Sequence, residues 1–200
     1  LAAPLYHLTK KGVVFKKGEE ALLAFEARTA LYEGDWNKAV NYADRVLAVK
    51  GDLSNLNTVN TPPNHYASPE SIMALDNTWD NSIKVLSFAS PELISSYNTS
   101  ADKRFGMYFE KNGSKYKVIK GGSLEFKVSF RTAEQYFIKS EALLKLNKLT
   151  EAKETLLKVL KNRYTPEGYI SVQNTVSSMD STAFMNFIMD ERFREFALEG

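Results

Sequence analysis

The sequence predicts a mainly α fold: tetratricopeptide-like helical pairs with a loop-rich insertion containing a small β-hairpin. Three observations carry this reading. Residues 130–160 place Ala133, Phe137, Ser140 and Leu144 at helical spacing, break at Asn147-Lys148, and resume with Ala152, Leu156, Val159 and Leu160 on one face. Residues 18–50 repeat the pattern, so that ALYEGDWNKAVNYADRVL and ALLKLNKLTEAKETLLKVL can be laid over each other. In both copies small residues stand where paired helices cross, and neither helix can bury its stripe alone. Residues 52–128 separate the copies and carry Pro62-Pro63 and Asn112-Gly113, so a continuous short-period solenoid is absent.

Taken in order, residues 1–17 are irregular, with Val13 to Phe15 a short strand or an extended lead-in. The first helical pair spans 18–50. Leu22, Phe25, Thr29 and Tyr32 line one face of its first helix, and Ala21, Ala24, Ala27 and Ala30 permit close approach. Gly34 ends that helix and Asp35 caps the next, whose stripe is Trp36, Ala39, Val40, Ala43, Val46 and Leu47. The insertion, 52–128, opens as a polar loop. It continues through a short strand or helical turn at 71–76, a turn around Trp79, a strand at 83–88 and a short helix from Pro91. Phe105, Met107 and Phe109 alternate as a strand before the hairpin turn Asn112-Gly113, and Tyr116 and Val118 continue on the return strand. Gly121-Gly122 reads as a hinge. The second helical pair spans 129–161, with Thr150 as the expected N-cap of its second helix. Pro166 and Gly168 mark the next stretch as a loop, and a closing helix covers 180–199. Phe184, Met185, Phe187, Ile188, Met189 and Phe196 make that helix apolar almost all round, which predicts burial.

Composition excludes several functions. Twenty-six basic against 24 acidic residues leave a net charge of +2, too little for a nucleic-acid binder working through a broad field. The chain has no cysteine, so disulfides, thiolate metal sites and thiol chemistry are ruled out. Two histidines, His7 and His65, have no ligand cluster around them, no Ca-loop spacing occurs, and no Gly-rich phosphate loop is present. No metal and no cofactor is expected. No apolar run approaches the ~20 residues of a membrane span. The chain starts at Leu1 and ends at Gly200 directly after a helical pattern, which reads as a portion of a longer protein.

The closing helix carries Glu191, Arg192, Arg194 and Glu195 within its apolar sequence. A buried charge is costly unless paired and hydrogen-bonded. Arg131 and Glu134, at the start of the second pair, are the natural partners. Arg131, Glu134, Glu191, Arg192 and Glu195 are therefore expected to form a structural ionic lattice and to take no part in catalysis.

Several segments carry a family resemblance. Residues 20–47, with their Leu-Tyr-x-Gly-Asp-Trp turn, and Ser68 to Leu75, with Pro-Glu-x-Ile, are similar to segments of the SusD/RagB family. So are Arg131, Ala133-Glu134, Tyr136 and Glu141-Ala142 on one helix, and Asp190-Glu191-Arg192, Glu195-Phe196 and Glu199-Gly200 at the close. Asp102-x-Arg104 resembles a short turn of the same family. Phe193, where an arginine is usual, and Ser140, where alanine is usual, depart from the pattern. The resemblance implies a SusD-like α–α superhelix in a single domain fragment, a core portion of a longer protein. It also implies a non-catalytic role: capture of a glycan at the cell-facing-outward surface of the outer membrane of Bacteroidetes, and delivery to a TonB-dependent porin of the SusC type. Membrane attachment would come only through an N-terminal lipid anchor outside this sequence. The alternative is a helical-repeat adaptor for proteins, or a peptide-binding member of the same family.

A sugar offers hydroxyls and a weakly apolar face, so its binder needs exposed aromatic rings beside polar side chains. The loop residues that fit are Tyr66, Trp79 and Tyr97, with Asn64, Asp76, Asn77, Asp80 and Asn81 as companions. Trp79 leads because Asp-Asn-Thr-Trp-Asp-Asn surrounds one indole with acid and amide groups. Its competing role is to anchor the loop against the helices. Trp36 belongs to a helical stripe and reads as core. Tyr108 and Tyr116 make a possible second platform on the hairpin.

Overall fold

A computed structural model of the 200-residue chain describes residues 7–8, 13–14, 18–75, 87–120 and 128–199. The first helical pair is α1 (Gly18–Glu33) and α2 (Trp36–Val49). Gly34 takes a φ of 77°, a left-handed position at the turn that side chains resist, and Asp35 accepts from the Lys38 amide at 3.1 Å to start α2. Among the described residues of the insertion, two short helices follow, α3 (Pro91–Ser95) and α4 (Lys103–Tyr108). The second pair is α5 (Thr132–Lys145) and α6 (Leu149–Leu160), and α7 (Pro166–Ser178) and α8 (Ser181–Glu195) complete the described helices.

The helical pairs meet through small side chains. Ala27, Ala30, Ala39 and Ala43 of the first pair bury against Ile138 and Ala142 of α5. A second core forms between α5, α6, α7 and α8 around Phe137, Leu144, Leu156, Leu160, Val176, Phe184 and Ile188. Helix α5 thus belongs to both cores. Ser140, on its buried side, donates its hydroxyl to the Ala152 carbonyl of α6 at 2.8 Å, so a polar group sits there without loss. Thr132 and Tyr136 donate to the carbonyls of Lys50 and Gly51 at 2.9 and 3.0 Å, tying the start of the second pair to the end of the first.

Among the described residues, six short strands accompany the helices. β1 (His7–Leu8), β2 (Val13–Val14), β3 (Ser71–Leu75) and β6 (Val128–Arg131) form an antiparallel sheet in that order. β4 (Phe109–Asn112) and β5 (Lys115–Val118) form the hairpin around Asn112-Gly113, with Asn112 opposite Lys115. The sheet draws the two ends of the insertion together, because β3 enters it beside β6, the strand that leads into α5.

Several expectations need correction. Residues 166–178 are helical and not a loop: Pro166 occupies the first turn, where its missing amide costs nothing, and Thr165 accepts from the Gly168 amide at 3.1 Å. The alternation at 104–110 is a helix up to Tyr108 and a strand from Phe109. Asp102 caps α4 by accepting from the Arg104 amide at 3.0 Å. Helix α6 starts at Leu149, with Lys148 and not Thr150 at the cap position. Tyr108 is fully buried and Tyr116 half-buried, so Tyr108 is no surface platform. The closing helix exposes Met189 and Phe193 on the side opposite its buried glutamates. In α1 the alanine face turns inward, and Leu22, Phe25 and Tyr32 turn to solvent. Trp36 is half-buried against the alanine-rich core. The Gly121-Gly122 hinge and most of the expected strand at 83–88 lie outside the described residues. Phe88, at the end of that stretch, bridges to Lys117 of β5.

Candidate functional site

Two groups of residues stand out: a buried ionic network and an exposed aromatic step on the loop after α2. The network is built around three guanidinia with no exposure, or almost none. Arg104 forks onto Asp102, with Nε–Oδ1 at 2.9 Å and Nη2–Oδ2 at 2.7 Å, and also donates to Glu191 and Glu195. Arg131 donates to Glu195 at 2.6 Å, to both oxygens of Glu199, and to Glu70 at 3.3 Å. Arg163 donates to Glu70 and to both oxygens of Glu195, and its third nitrogen reaches the Ser54 carbonyl. Lys120 adds a bond to Glu199 at 2.6 Å and lies over the Tyr108 ring.

The charges in this network balance. Arg104, Arg131, Arg163, Arg194 and Lys120 face Asp102, Glu70, Glu191, Glu195 and Glu199. Burial alone would push the Glu195 carboxyl up; Arg163, Arg131 and Arg104 outweigh it and hold the group well below the ordinary glutamate range. Burial likewise works against Glu191 and Glu199, and Arg104 and Arg131 respectively bring each below its usual value. Burial pulls the Lys120 ammonium down to about 8, and Glu199 offsets only part of that.

The expected lattice is therefore present in part and larger than foreseen. Arg131, Glu191 and Glu195 are members. Glu134 is not: it pairs with Arg28 of α1, at 2.6 and 2.8 Å. Arg192 is not: it pairs with Glu141 of α5 at 2.9 Å. The unforeseen members are Glu70, Asp102, Arg104, Lys120, Arg163, Arg194 and Glu199. Glu70, Asp102, Arg104 and Glu199 had sequence signals in the Pro-Glu-x-Ile, Asp-x-Arg and closing Glu-Gly motifs, which local periodicity could not connect; Lys120 and Arg163 lie in none of these motifs.

Residues 51–70 form the loop that carries the aromatic step. The loop is pinned from beneath: Leu56 is buried and donates its amide to the Asn162 carbonyl at 3.0 Å, and the Asn57 amide group donates to the Tyr164 carbonyl at 2.9 Å. At its tip His65 and Tyr66 stack, with ring centroids 4.8 Å apart and planes 28° apart. His65 Nδ1 accepts from the Ala67 amide at 3.0 Å, which fixes the imidazole. Tyr66 remains 41% exposed. Asn64 beside it is buried, and its side-chain oxygen has no hydrogen-bond partner.

The other expected site residues divide. Tyr97 is only 5% exposed; it packs edge-on against Phe109 and donates its hydroxyl to the Arg194 carbonyl at 2.6 Å, so it offers no stacking face. Trp79, Asn77, Asp80, Asn81 and their companion Asp76 lie outside the described residues. Among the described residues no group of His, Asp and Glu has the arrangement of a metal site, and no helix is long and apolar enough to cross a membrane.

Comparison with known proteins places this geometry. A family model described as the SusD family matches residues 95–200. No curated protein matches the sequence. Among solved structures, a SusD-like carbohydrate-binding protein from Bacteroides vulgatus superimposes with a TM-score of 0.65 at 20% identity, over 97% of this chain and 46% of that one. A SusD-like protein from Bacteroides fragilis gives 0.65 at 15% identity, over 97% and 54%. A SusD superfamily protein from Bacteroides thetaiotaomicron gives 0.67 at 18% identity, over 88% and 46%. The chain thus spans about half the length of the structures it matches.

Proposed function

This chain belongs to the SusD family, and on that premise we propose that it is a binding protein that captures an oligosaccharide or polysaccharide at the outer-membrane surface without chemical conversion. A lipid anchor outside this sequence holds it there, and a TonB-dependent porin of the SusC type receives the glycan. The single observation that carries the binding reading is the Tyr66–His65 step, an exposed aromatic ring on a loop fixed from below. Such a ring meets the apolar face of a sugar with little ordering cost, because the loop is already held in place. Trp79, Asn77, Asp80 and Asn81 follow in sequence and supply the second ring and the hydroxyl partners in this proposal. A relative of the same fold is described as carbohydrate binding, which agrees with it.

The ionic network supports binding over hydrolysis. Glycoside hydrolysis uses two carboxyl groups, one of which must be protonated at neutral pH. The buried glutamates Glu191, Glu195 and Glu199 are held below their usual range by arginine and lysine, the opposite of what a general acid requires; burial raises Asp102, but that carboxylate is fully enclosed and forked onto Arg104, out of reach of a sugar.

The test is a glycan array and titration calorimetry on the chain beside Tyr66→Ala and Trp79→Ala. At least one substitution should lower affinity tenfold or more, ~1.4 kcal/mol. Glycan binding untouched by both would remove the loop from the site. Binding of peptides in place of glycans would favour the adaptor or peptide-binding reading.

A further inference from the structure

Glu70 has a place in the ionic network and none yet in binding. It stands at one foot of the loop that carries the aromatic step, and Ser54 stands at the other. Both are buried, as is Ser68. Glu70 Oε1 accepts from the Ser54 amide at 2.9 Å, so one carboxylate joins feet that are 16 positions apart in sequence. Ser68 closes this neck a second time: its hydroxyl lies 3.1 Å from that of Ser54 and accepts from the Glu70 amide at 3.2 Å. Arg163 grips both feet at once, donating to the Ser54 carbonyl at 2.9 Å and to the two Glu70 oxygens at 2.8 and 2.9 Å. The Thr132 amide donates to the Glu70 carbonyl at 2.9 Å, which fastens the neck to the start of α5.

The path from neck to ring is short. The Ser68 amide donates to the His65 carbonyl at 2.9 Å, and the His65 amide to the Pro62 carbonyl at 3.0 Å. The turn that sets His65 against Tyr66 therefore ends on Ser68, the residue that Glu70 and Ser54 hold. Closing a loop at its neck removes conformations from its tip. A tip already ordered loses less freedom when a ligand arrives. A carboxylate suits this task. N–H donors of Ser54, Arg163 and Arg131 end on the two Glu70 oxygens, and a glutamine there would turn its own N–H2 against one of them. We propose that Glu70, acting through Ser68 and Ser54, is a positioning residue of the glycan site. It sets the His65–Tyr66 step before a sugar arrives and touches no sugar itself. This rests on the reading of that step as the sugar platform.

Glu70→Gln strikes the ionic network as well as the neck, so Ser68→Ala and Ser54→Ala/Ser68→Ala, which leave every ion pair in place, carry the test. The chain has two histidines, so the ring protons of His65 can be followed by NMR. The Tyr66 ring, 4.8 Å away, shifts those signals, and Tyr66→Ala gives their position without it. In both serine variants the His65 signals should move toward that position while the urea midpoint stays near the parent's. Calorimetry with the oligosaccharide that the parent chain binds best on an array of neutral and acidic oligosaccharides should show affinity lower by about fivefold, through a less favourable entropy. Glu70→Gln should move the His65 signals further. Signals that stay in place in all three variants would overturn the proposal. Moved signals with unchanged affinity would overturn it too, and would leave the glycan reading standing. A parent chain that binds no oligosaccharide would remove the glycan reading, and the proposal with it, even where the signals move as expected.

Discussion

Glu195 shows how much depends on one side chain. Its two oxygens accept from Arg104, Arg131 and Arg163, and its backbone carbonyl accepts from Arg131 and Lys120. Glu195→Gln keeps the shape but removes the charge, leaving three buried guanidinia short of one counter-charge. Removing one partner of a buried ion pair costs about 3–5 kcal/mol, a large share of an ordinary domain's stability. Urea unfolding at pH 7 should register a loss in that range. Lys120→Met should cost clearly less. The ammonium, pulled down to about 8, gains less from Glu199 than it loses by burial, and Met fills the same space without a charge. Equal losses for the two variants would contradict this ranking. At this scale the sequence showed which residues carry charge inside an apolar helix, so Arg131, Glu191 and Glu195 were legible. It could not show rotamers. Arg192 and Glu134 stand close to lattice positions in sequence and pair instead with Glu141 and Arg28 on adjoining helices. Tyr97 stands in a loop-like sequence yet fills the cluster formed with Phe105 and Phe109.

Among elements, α7 is the instructive case. Pro166 and Gly168 look like loop punctuation, and both have other reasons to be there. Proline is well placed in the first turn of a helix. Gly168 gives room: a Cβ at that position would lie 2.7 Å from the Cβ of Ala101. In an open helix Gly→Ala gains about 1 kcal/mol. Here the clash falls against the backbone-linked methyl of a neighbouring segment, which is held because Thr165 donates its amide to the Ala101 carbonyl at 2.8 Å. Gly168→Ala should therefore destabilise despite its propensity, whereas Ala101→Gly/Gly168→Ala should recover part of the loss. Thr165→Ala removes the cap and should cost about 1 kcal/mol. Thermal unfolding of the three variants checks both statements, and a stabilised Gly168→Ala would show that Ala101 yields. The helical pairs were legible because hydrophobic period and small crossing residues are local facts. Helix α7 and the switch from helix to strand at Phe109 were hidden because caps and close approaches, made by Asp102, Thr165 and Ala101, decide them.

Across the whole molecule, the ionic network joins pieces far apart in sequence. Glu70 comes from the edge of β3, Arg104 from α4, Arg131 from β6, Arg163 from the turn after α6, and Glu191 and Glu195 from α8. The loop with Tyr66 ends at Glu70, so the proposed binding step is anchored to the same network. This gives the fold a definite pH response. Glu191, Glu195 and Glu199 have folded values below the ordinary 4.5. Below that ordinary value the unfolded chain takes up protons that the native state refuses, so stability falls as pH drops. It is fully present above 4.5 and is lost as pH falls through the folded values; Asp102, which burial raises above its ordinary value, runs the other way and offsets part of this loss. Lys120 acts on the other side. Its folded value of about 8 lies below the ordinary 10.5, so between the two the unfolded chain again holds the extra proton, and its contribution rises with pH. Urea midpoints measured from pH 3 to 10 should fall steeply below 4.5. The steep limb should flatten in Glu195→Gln, because the group that refuses the proton is gone. In Lys120→Met the acid limb should persist while the rise above pH 8 disappears. An acid limb unchanged by Glu195→Gln would mean that the surface carboxylates, and not the network, control unfolding in acid.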